Sequence, residues 1–136
     1  MPVIVAPGSM VLGNFGHRTP GVGTANLSSA QVTSGPSDNV VDRGGSAGPV
    51  LLRLVTTVGA TPTCTYAIEG SPAGTVWFPI QYADSASPQT LVITTFTVTT
   101  AGTFFKLIPA LIPVRFLRVT YSANTNVTNT LDAFVY

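Results

Sequence analysis

Residues 114–121 read VRFLRVTY, and this stretch decides the fold that we predict. Leu117, Val119 and Tyr121 alternate with polar or aromatic side chains. Because successive side chains of an extended strand point to opposite sides, a period of two residues lets one face pack in a core. The stretch therefore predicts a half-buried β-strand.

Similar segments recur through the second part of the chain. We predict seven strands, separated by turn residues, at 50–58, 63–69, 76–82, 91–100, 103–108, 114–121 and 127–136. The intervening segments carry no helical pattern, and short strands at this spacing are typical of antiparallel sandwiches and barrels. We therefore predict an all-β fold, an antiparallel β-sandwich of the jelly-roll type, over residues 50–136.

Residues 1–49 differ in composition from the rest. They are rich in Gly, Pro and Ser, with only brief apolar pieces, and such a stretch buries too little surface to offset its ordering entropy. It is either a disordered tail or an extended N-terminal arm that becomes ordered against another surface. Strand-like pieces such as Val3-Ile-Val5 favour the arm.

The charge composition excludes several functions. Only 8% of the residues are charged and the formal net charge is +1, so no basic patch for nucleic acid is present. The sequence also has no polybasic run, signal peptide or apolar stretch of about 18 residues for a membrane. Low charge is best tolerated where neighbouring proteins cover the surface. The retained Met1 fits assembly in a cytoplasm.

No residue pattern indicates catalysis. His17 lies in the Gly- and Pro-rich segment, and Cys64 lies in a strand pattern typical of a small buried residue. The five acidic residues are scattered, and Glu69 and Asp84 would meet only if their hairpin closed. We therefore expect neither an enzyme nor a metal or cofactor site.

Several residues are candidates for contacts with other protein chains. Arg115 and Arg118 lie on opposite faces of the 114–121 strand, so one of them should point toward the interior or an interface; an arginine at the sheet rim is an equal alternative. The expected interface residues are Val3, Ile4, Val5, Met10, Val11, Leu12, Arg18, Arg43, Arg115 and Arg118.

Residues 66–80, YAIEGSPAGTVWFPI, resemble a hairpin of small β-sandwich proteins of tailed bacteriophages, in which a Gly-Ser turn is followed by Gly-Thr-x-Trp. The resemblance continues through residues 100–104 and 114–121 and covers residues 50–136. It implies a glycine turn, a tryptophan packed between sheets and an arginine-bearing penultimate strand. Ala73 departs from the pattern, which has an acidic residue more often, and this weakens any ligand-binding role of the turn.

Within that group the chain resembles a capsid decoration, or cement, protein. The resemblance implies a jelly-roll-like sandwich, commonly a homotrimer, on the capsid surface of a virion, with the arm on the shell. The implied partners are the major capsid protein and other copies of the chain. A tail or neck protein of the same particle remains open. A carbohydrate-binding or adhesin module is a further alternative, in which Trp77, Phe78 and Tyr82 stack on sugars.

Overall fold

The computed structural model describes residues 23–44, 48–110 and 112–136. Within these ranges all regular secondary structure is strand, and ten strands form one antiparallel sheet. The predicted all-β, antiparallel fold is therefore confirmed. The strands are β1 Gly23–Gln31, β2 Gly35–Pro36, β3 Val41–Asp42, β4 Val50–Ser71, β5 Phe78–Pro79, β6 Tyr82–Asp84, β7 Leu91–Val92, β8 Phe96–Val98, β9 Gly102–Ile108 and β10 Phe116–Val135.

The sheet is organised around its two long strands. Its main path runs β1-β10-β4-β9-β6-β7, while β2 and β3 also pair with β10, and β5 and β8 also pair with β4. Strands β4 and β10 contain 22 and 20 residues and pair antiparallel from Phe116 opposite Ser71 to Val135 opposite Val50. The other strands are attached to this ladder, on the β10 side or on the β4 side.

We predicted four strands where the structure has these two. The residues 59–62, which we interpreted as a turn, and the gap at 122–126 are bends within β4 and β10. Thr61 has a φ of 44°, and Ala123 and Asn126 have φ values of 50° and 54°. The pairing register also shifts between Ser122 and Val127. Because both strands bend at the same level, the chain folds over without leaving the ladder.

The bend brings the two halves of the β4–β10 ladder face to face around the core. Tyr66 lies in the second half of β4, whereas Asn129 lies in the part of β10 that pairs with the first half of β4. The Tyr66 hydroxyl donates a hydrogen bond of 2.6 Å to the Asn129 side chain across the core. Side chains from both halves line a small apolar cavity: Leu52, Leu54, Tyr66, Ile68, Phe96, Lys106, Val119 and Leu131. The two layers thus enclose a core as a sandwich does, with hydrogen bonding continuous from one layer to the other.

The boundary that we predicted at residue 49 does not separate an arm from the sheet. Strand β1 pairs with β10, and Leu27 and Val41 are fully buried in the same core as the later strands. Residues 23–44 therefore belong to the folded domain. The sequence did not indicate this, because the backbone hydrogen bonds of a strand pair need few apolar side chains. Two register shifts in β1 also interrupt the alternation of its inward and outward side chains. Residues 1–22 and 45–47 lie outside the described residues.

Candidate protein-interaction surface

Most of the described charged side chains are paired within the chain. The ion pairs are Arg53–Asp132 at 2.8 Å, Lys106–Asp84 at 2.5 Å, Arg115–Asp42 at 2.7 Å and Arg118–Glu69 at 2.9 Å. Glu69 and Asp84 are thus held by different cations and do not form a carboxylate pair of the kind that glycoside hydrolysis needs. The pairing leaves the domain with an electrically balanced surface.

Arg118 is held in place on the outer face of the sheet. It stands opposite Glu69 in the β10–β4 ladder, and its Nε donates a 2.9 Å hydrogen bond to Glu69 Oε1. Thr120 donates a second hydrogen bond of 2.7 Å to the same oxygen. The Arg118 guanidinium lies 4.2 Å from the centroid of the Trp77 ring, within the range of a cation–π contact.

Arg115 is fixed in a similar way beside the start of β10. Its Nε and one terminal nitrogen donate hydrogen bonds of 2.7 and 2.9 Å to the two carboxylate oxygens of Asp42. These hydrogen bonds raise the pKa of Arg115 above its ordinary value. The guanidinium also lies 5.1 Å from the centroid of the Phe116 ring. Half of the Arg115 side chain remains exposed.

These groups form one surface, which we call the arginine–aromatic patch and define as Trp77, Arg115, Phe116 and Arg118. The loop between β4 and β5 reaches over it, because a Cβ at Gly74 would lie 3.6 Å from the Phe116 ring. Two exposed apolar side chains flank Trp77: Val76 in the loop, at 69% exposure, and Phe78 at the start of β5, at 43%. The patch therefore has an apolar rim.

The composition of the patch is typical of protein–protein interfaces. Tryptophan and arginine are the residues found most often at positions that dominate binding energy, and aromatic residues are enriched in interfaces generally. The carboxylates of Asp42 and Glu69 already fix both arginines, so less side-chain entropy is lost when a partner binds. The patch can therefore offer flat, ordered side chains to another protein.

The structure does not place Trp77 where the resemblance implies. Trp77 is half-buried on the outer face, stacked with Arg118, and is absent from the described apolar core. The predicted packing between sheets is wrong because residue 77 falls in the β4–β5 loop, before the chain returns to the sheet at Phe78. The hairpin itself is present, with Gly70 opposite Phe78 and Glu69 opposite Pro79.

The aromatic residues of the sugar-binding alternative do not form a common platform. Tyr82 is buried and donates a hydrogen bond of 2.7 Å to the carbonyl oxygen of Thr94. A face of the Trp77 ring is occupied by Arg118, which leaves Phe78 as the exposed aromatic side chain of the three. No observation on the described residues favours carbohydrate binding.

Arg43, which we predicted at an interface, is buried inside its own chain. Its terminal nitrogens donate hydrogen bonds of 2.9 to 3.0 Å to three backbone carbonyls, those of Gly48, Ile112 and Val114. Burial lowers the pKa of Arg43 from its ordinary value. The side chain therefore ties three segments of one domain together, and it presents no surface to a partner.

The other predicted interface residues divide into two groups. Arg115 and Arg118 both remain on the outside, where neither guanidinium enters the core, and the patch brings them together with aromatic rings. The remaining seven lie outside the described residues: Val3, Ile4, Val5, Met10, Val11, Leu12 and Arg18. His17 lies outside them as well.

The interior holds polar groups that act structurally. Cys64 is buried, as predicted, and desolvation raises the pKa of its thiol. Burial likewise raises the pKa values of Tyr66 and Tyr121. The Tyr121 hydroxyl lies 2.7 Å from Ser28 Oγ, so it has a hydrogen-bond partner within the core. Each of these groups is too buried to meet a substrate.

No cluster of His, Cys, Asp and Glu that could hold a metal ion occurs in residues 23–44, 48–110 and 112–136. The same residues contain no helix with the length and hydropathy needed to cross a membrane.

Three residues of this surface were not identified from the sequence: Phe116, which belongs to the patch, and Asp42 and Glu69, which bind its arginines. Their roles depend on which strands are neighbours, and Glu69 is 49 residues from Arg118 along the chain. The available signal was the opposite charge of Glu69 and Arg118 at outward positions of two alternating segments. It becomes informative only once β4 and β10 are known to pair.

The fold and the outer face together define an all-β antiparallel domain that carries ordered side chains of the interface type. No family model matches the chain, and no curated protein matches it. The crystal structure of the SPBc2 prophage-derived protein YomS is similar, with a TM-score of 0.60 over 90% of this chain and 100% of that chain. The two sequences are 8% identical, so the likeness shows a shared fold alone.

Proposed function

We propose that this chain is a non-enzymatic structural protein of a bacteriophage particle, which binds the outer surface of the capsid through the arginine–aromatic patch. One structural comparison supports a phage protein, and a sequence resemblance is consistent with it. Residues 66–80 resemble hairpins of phage β-sandwich proteins, and the solved structure with a similar fold is described as prophage-derived. Neither comparison specifies the capsid, which we propose from the surface.

The observation that carries the proposal is the patch itself. Ordered arginines stacked on rings, beside the exposed side chains of Val76 and Phe78, suit a protein partner better than a small substrate. A capsid lattice repeats its binding sites, so modest contacts at each copy add up to firm attachment. The major capsid protein is the partner that we propose.

The described titratable groups support a structural role over catalysis. Four of the five described acidic side chains, those other than Asp38, are in ion pairs, and Cys64, Tyr66 and Tyr121 are buried. A general acid or base needs access to its substrate and a pKa near the working pH. The raised pKa values of the buried thiol and phenols move these groups away from that condition.

Purified particles test this proposal. Particles are prepared by density gradient from a lysate of cells that carry the encoding genome, and the chain is measured by quantitative mass spectrometry. Immunogold labelling with an antibody against the domain then locates it. We expect the chain in the particle band, with gold over the outer capsid surface.

Two other results would change the proposed function. Gold confined to the tail or neck would keep the structural role and reject capsid binding. Absence of the chain from particles that contain all other structural proteins at normal amounts would reject the virion role altogether.

A further inference from the structure

Within the part of the chain that the structure describes, one edge of the sheet has no further strand beside it. Strand β7 ends the strand order, and among the described residues it pairs with β6 alone. Every residue from 84 to 95 is exposed. This run includes three large apolar side chains in succession, Leu91 at 44%, Val92 at 37% and Ile93 at 56% exposure. An open strand edge with exposed apolar side chains is a template for pairing with another strand.

The opposite edge of the sheet is protected. Strand β1 pairs with β10 through a ladder that shifts register twice, between Asn26 and Ser28 and between Ser28 and Gln31. Ala30 in this strand has a φ of 53°. Such irregularities twist an edge away from a flat partner. Residues 89–95, QTLVITT, contain no charge, proline or glycine that would block pairing at the β7 edge, and the two-residue β7, Leu91–Val92, can lengthen when a partner strand is added.

The sequence at the open edge is self-complementary. Residues 90–94 read TLVIT, which has the same order of polar and apolar residues in both directions. In an antiparallel pair of identical strands centred on Val92, Leu91 faces Ile93 of the other strand and Thr90 faces Thr94. Apolar and β-branched cross-strand pairs and Thr–Thr pairs stabilise antiparallel ladders. Because the segment is uncharged, no like charges oppose its pairing with itself.

We propose that two copies of this chain pair antiparallel through β7, with a two-fold axis at Val92, so that the two sheets become continuous. The inference goes beyond the proposed function and does not depend on it. It also differs from the homotrimer implied by the resemblance. A ring of three copies joined through the two ends of the main strand path would need β7 to meet β1, and the protected β1 edge is unsuited to that role.

Solution mass, measured on the purified full-length chain by light scattering after gel filtration, tests the proposal without any phage particle. We expect twice the mass of one 14.1 kDa chain. The double variant Leu91→Lys/Ile93→Lys places two lysines opposite two others and should be monomeric. The matched variant Leu91→Glu/Ile93→Lys removes the same apolar surface but places each glutamate opposite a lysine, so it should remain dimeric.

Controls distinguish pairing in this register from nonspecific association and from misfolding. Val58→Lys, at a similarly exposed valine just before the bend of β4, should stay dimeric, and circular dichroism confirms folding. If either β7 variant is unfolded, the same comparison is repeated with Thr90→Lys/Thr94→Lys and Thr90→Glu/Thr94→Lys, since both threonines are exposed. A monomeric or trimeric parent chain overturns the proposal. So does an identical mass for the two matched variants.

Discussion

At the scale of single residues, the same side-chain type has opposite uses in this protein. Arg43 is buried and bonded to backbone carbonyls, whereas Arg115 and Arg118 are outside and bonded to carboxylates. The sequence does not separate their roles: Arg43 lies in the segment before the first long predicted strand, and Arg115 and Arg118 lie within the 114–121 pattern. What separates them is the bend of the long strands, which encloses the region around Val114 and so buries the arginine that bonds to it.

Replacing Arg43 by methionine should destabilise the domain. The change removes donors from the carbonyls of Gly48, Ile112 and Val114, which are then left without that partner. We expect a loss of about 2–4 kcal/mol in the free energy of unfolding, measured by urea denaturation. The control Arg53→Met breaks a partly exposed ion pair, and Asp132 keeps its hydrogen bond from Asn26, so it should cost about 1 kcal/mol or less. Equal losses would contradict a structural role for Arg43.

The Asp84–Lys106 pair should make stability fall in acid. The hydrogen bond from Lys106 lowers the pKa of Asp84 below its ordinary value, so the folded state binds this proton less readily than the unfolded state. The contribution is complete above a pH of about 4 and is lost as pH falls through the lowered value. Thermal melts of the parent chain should therefore show a steeper drop in Tm below pH 4 than melts of Asp84→Asn. Parallel pH profiles would show that the pair contributes nothing.

At the scale of elements, the bends in β4 and β10 decide the architecture. The sequence indicated the strand segments on both sides of each bend, but it suggested that the chain reverses at residues 59–62 and 122–126, since Gly, Pro and Asn are typical of turns. Whether such residues reverse a strand or only bend it depends on the partner strand, which single-strand patterns do not contain. The short strands β2 and β3 and the bulged β1 were missed for a related reason, because long-range backbone pairing forms them.

Thr61→Gly tests whether the bend is strained. Thr61 adopts a φ of 44°, which a β-branched residue disfavours and glycine accepts. We expect the substitution to stabilise the domain by about 0.5–1 kcal/mol in urea denaturation. The control Thr57→Gly lies in the same strand without a positive φ and should be destabilising. Destabilisation of similar size in both variants would show that Thr61 carries no strain.

At the scale of the whole molecule, the sequence predicted the class of fold and part of the candidate surface. The alternating segments were sufficient for an antiparallel all-β domain and for selecting Arg115 and Arg118 as candidates, but not for deciding that both lie outside. The remainder of the surface needed the three-dimensional structure. Trp77 reaches Arg118 only because the β4–β5 loop turns back over β10, and Asp42 meets Arg115 through a short strand that no apolar pattern marks.

The most direct test of the account measures binding of purified domain to particles that lack it. Phe78→Ser changes the exposed apolar rim of the arginine–aromatic patch, and Val58→Ser is the matched control, because Val58 is a similarly exposed apolar residue just before the bend of β4. We predict that the parent chain and Val58→Ser co-sediment with the particles with equal affinity, while Phe78→Ser binds about tenfold or more weakly. Undiminished binding of Phe78→Ser, with Val58→Ser unchanged as well, would contradict the claim that this surface attaches the protein to the capsid.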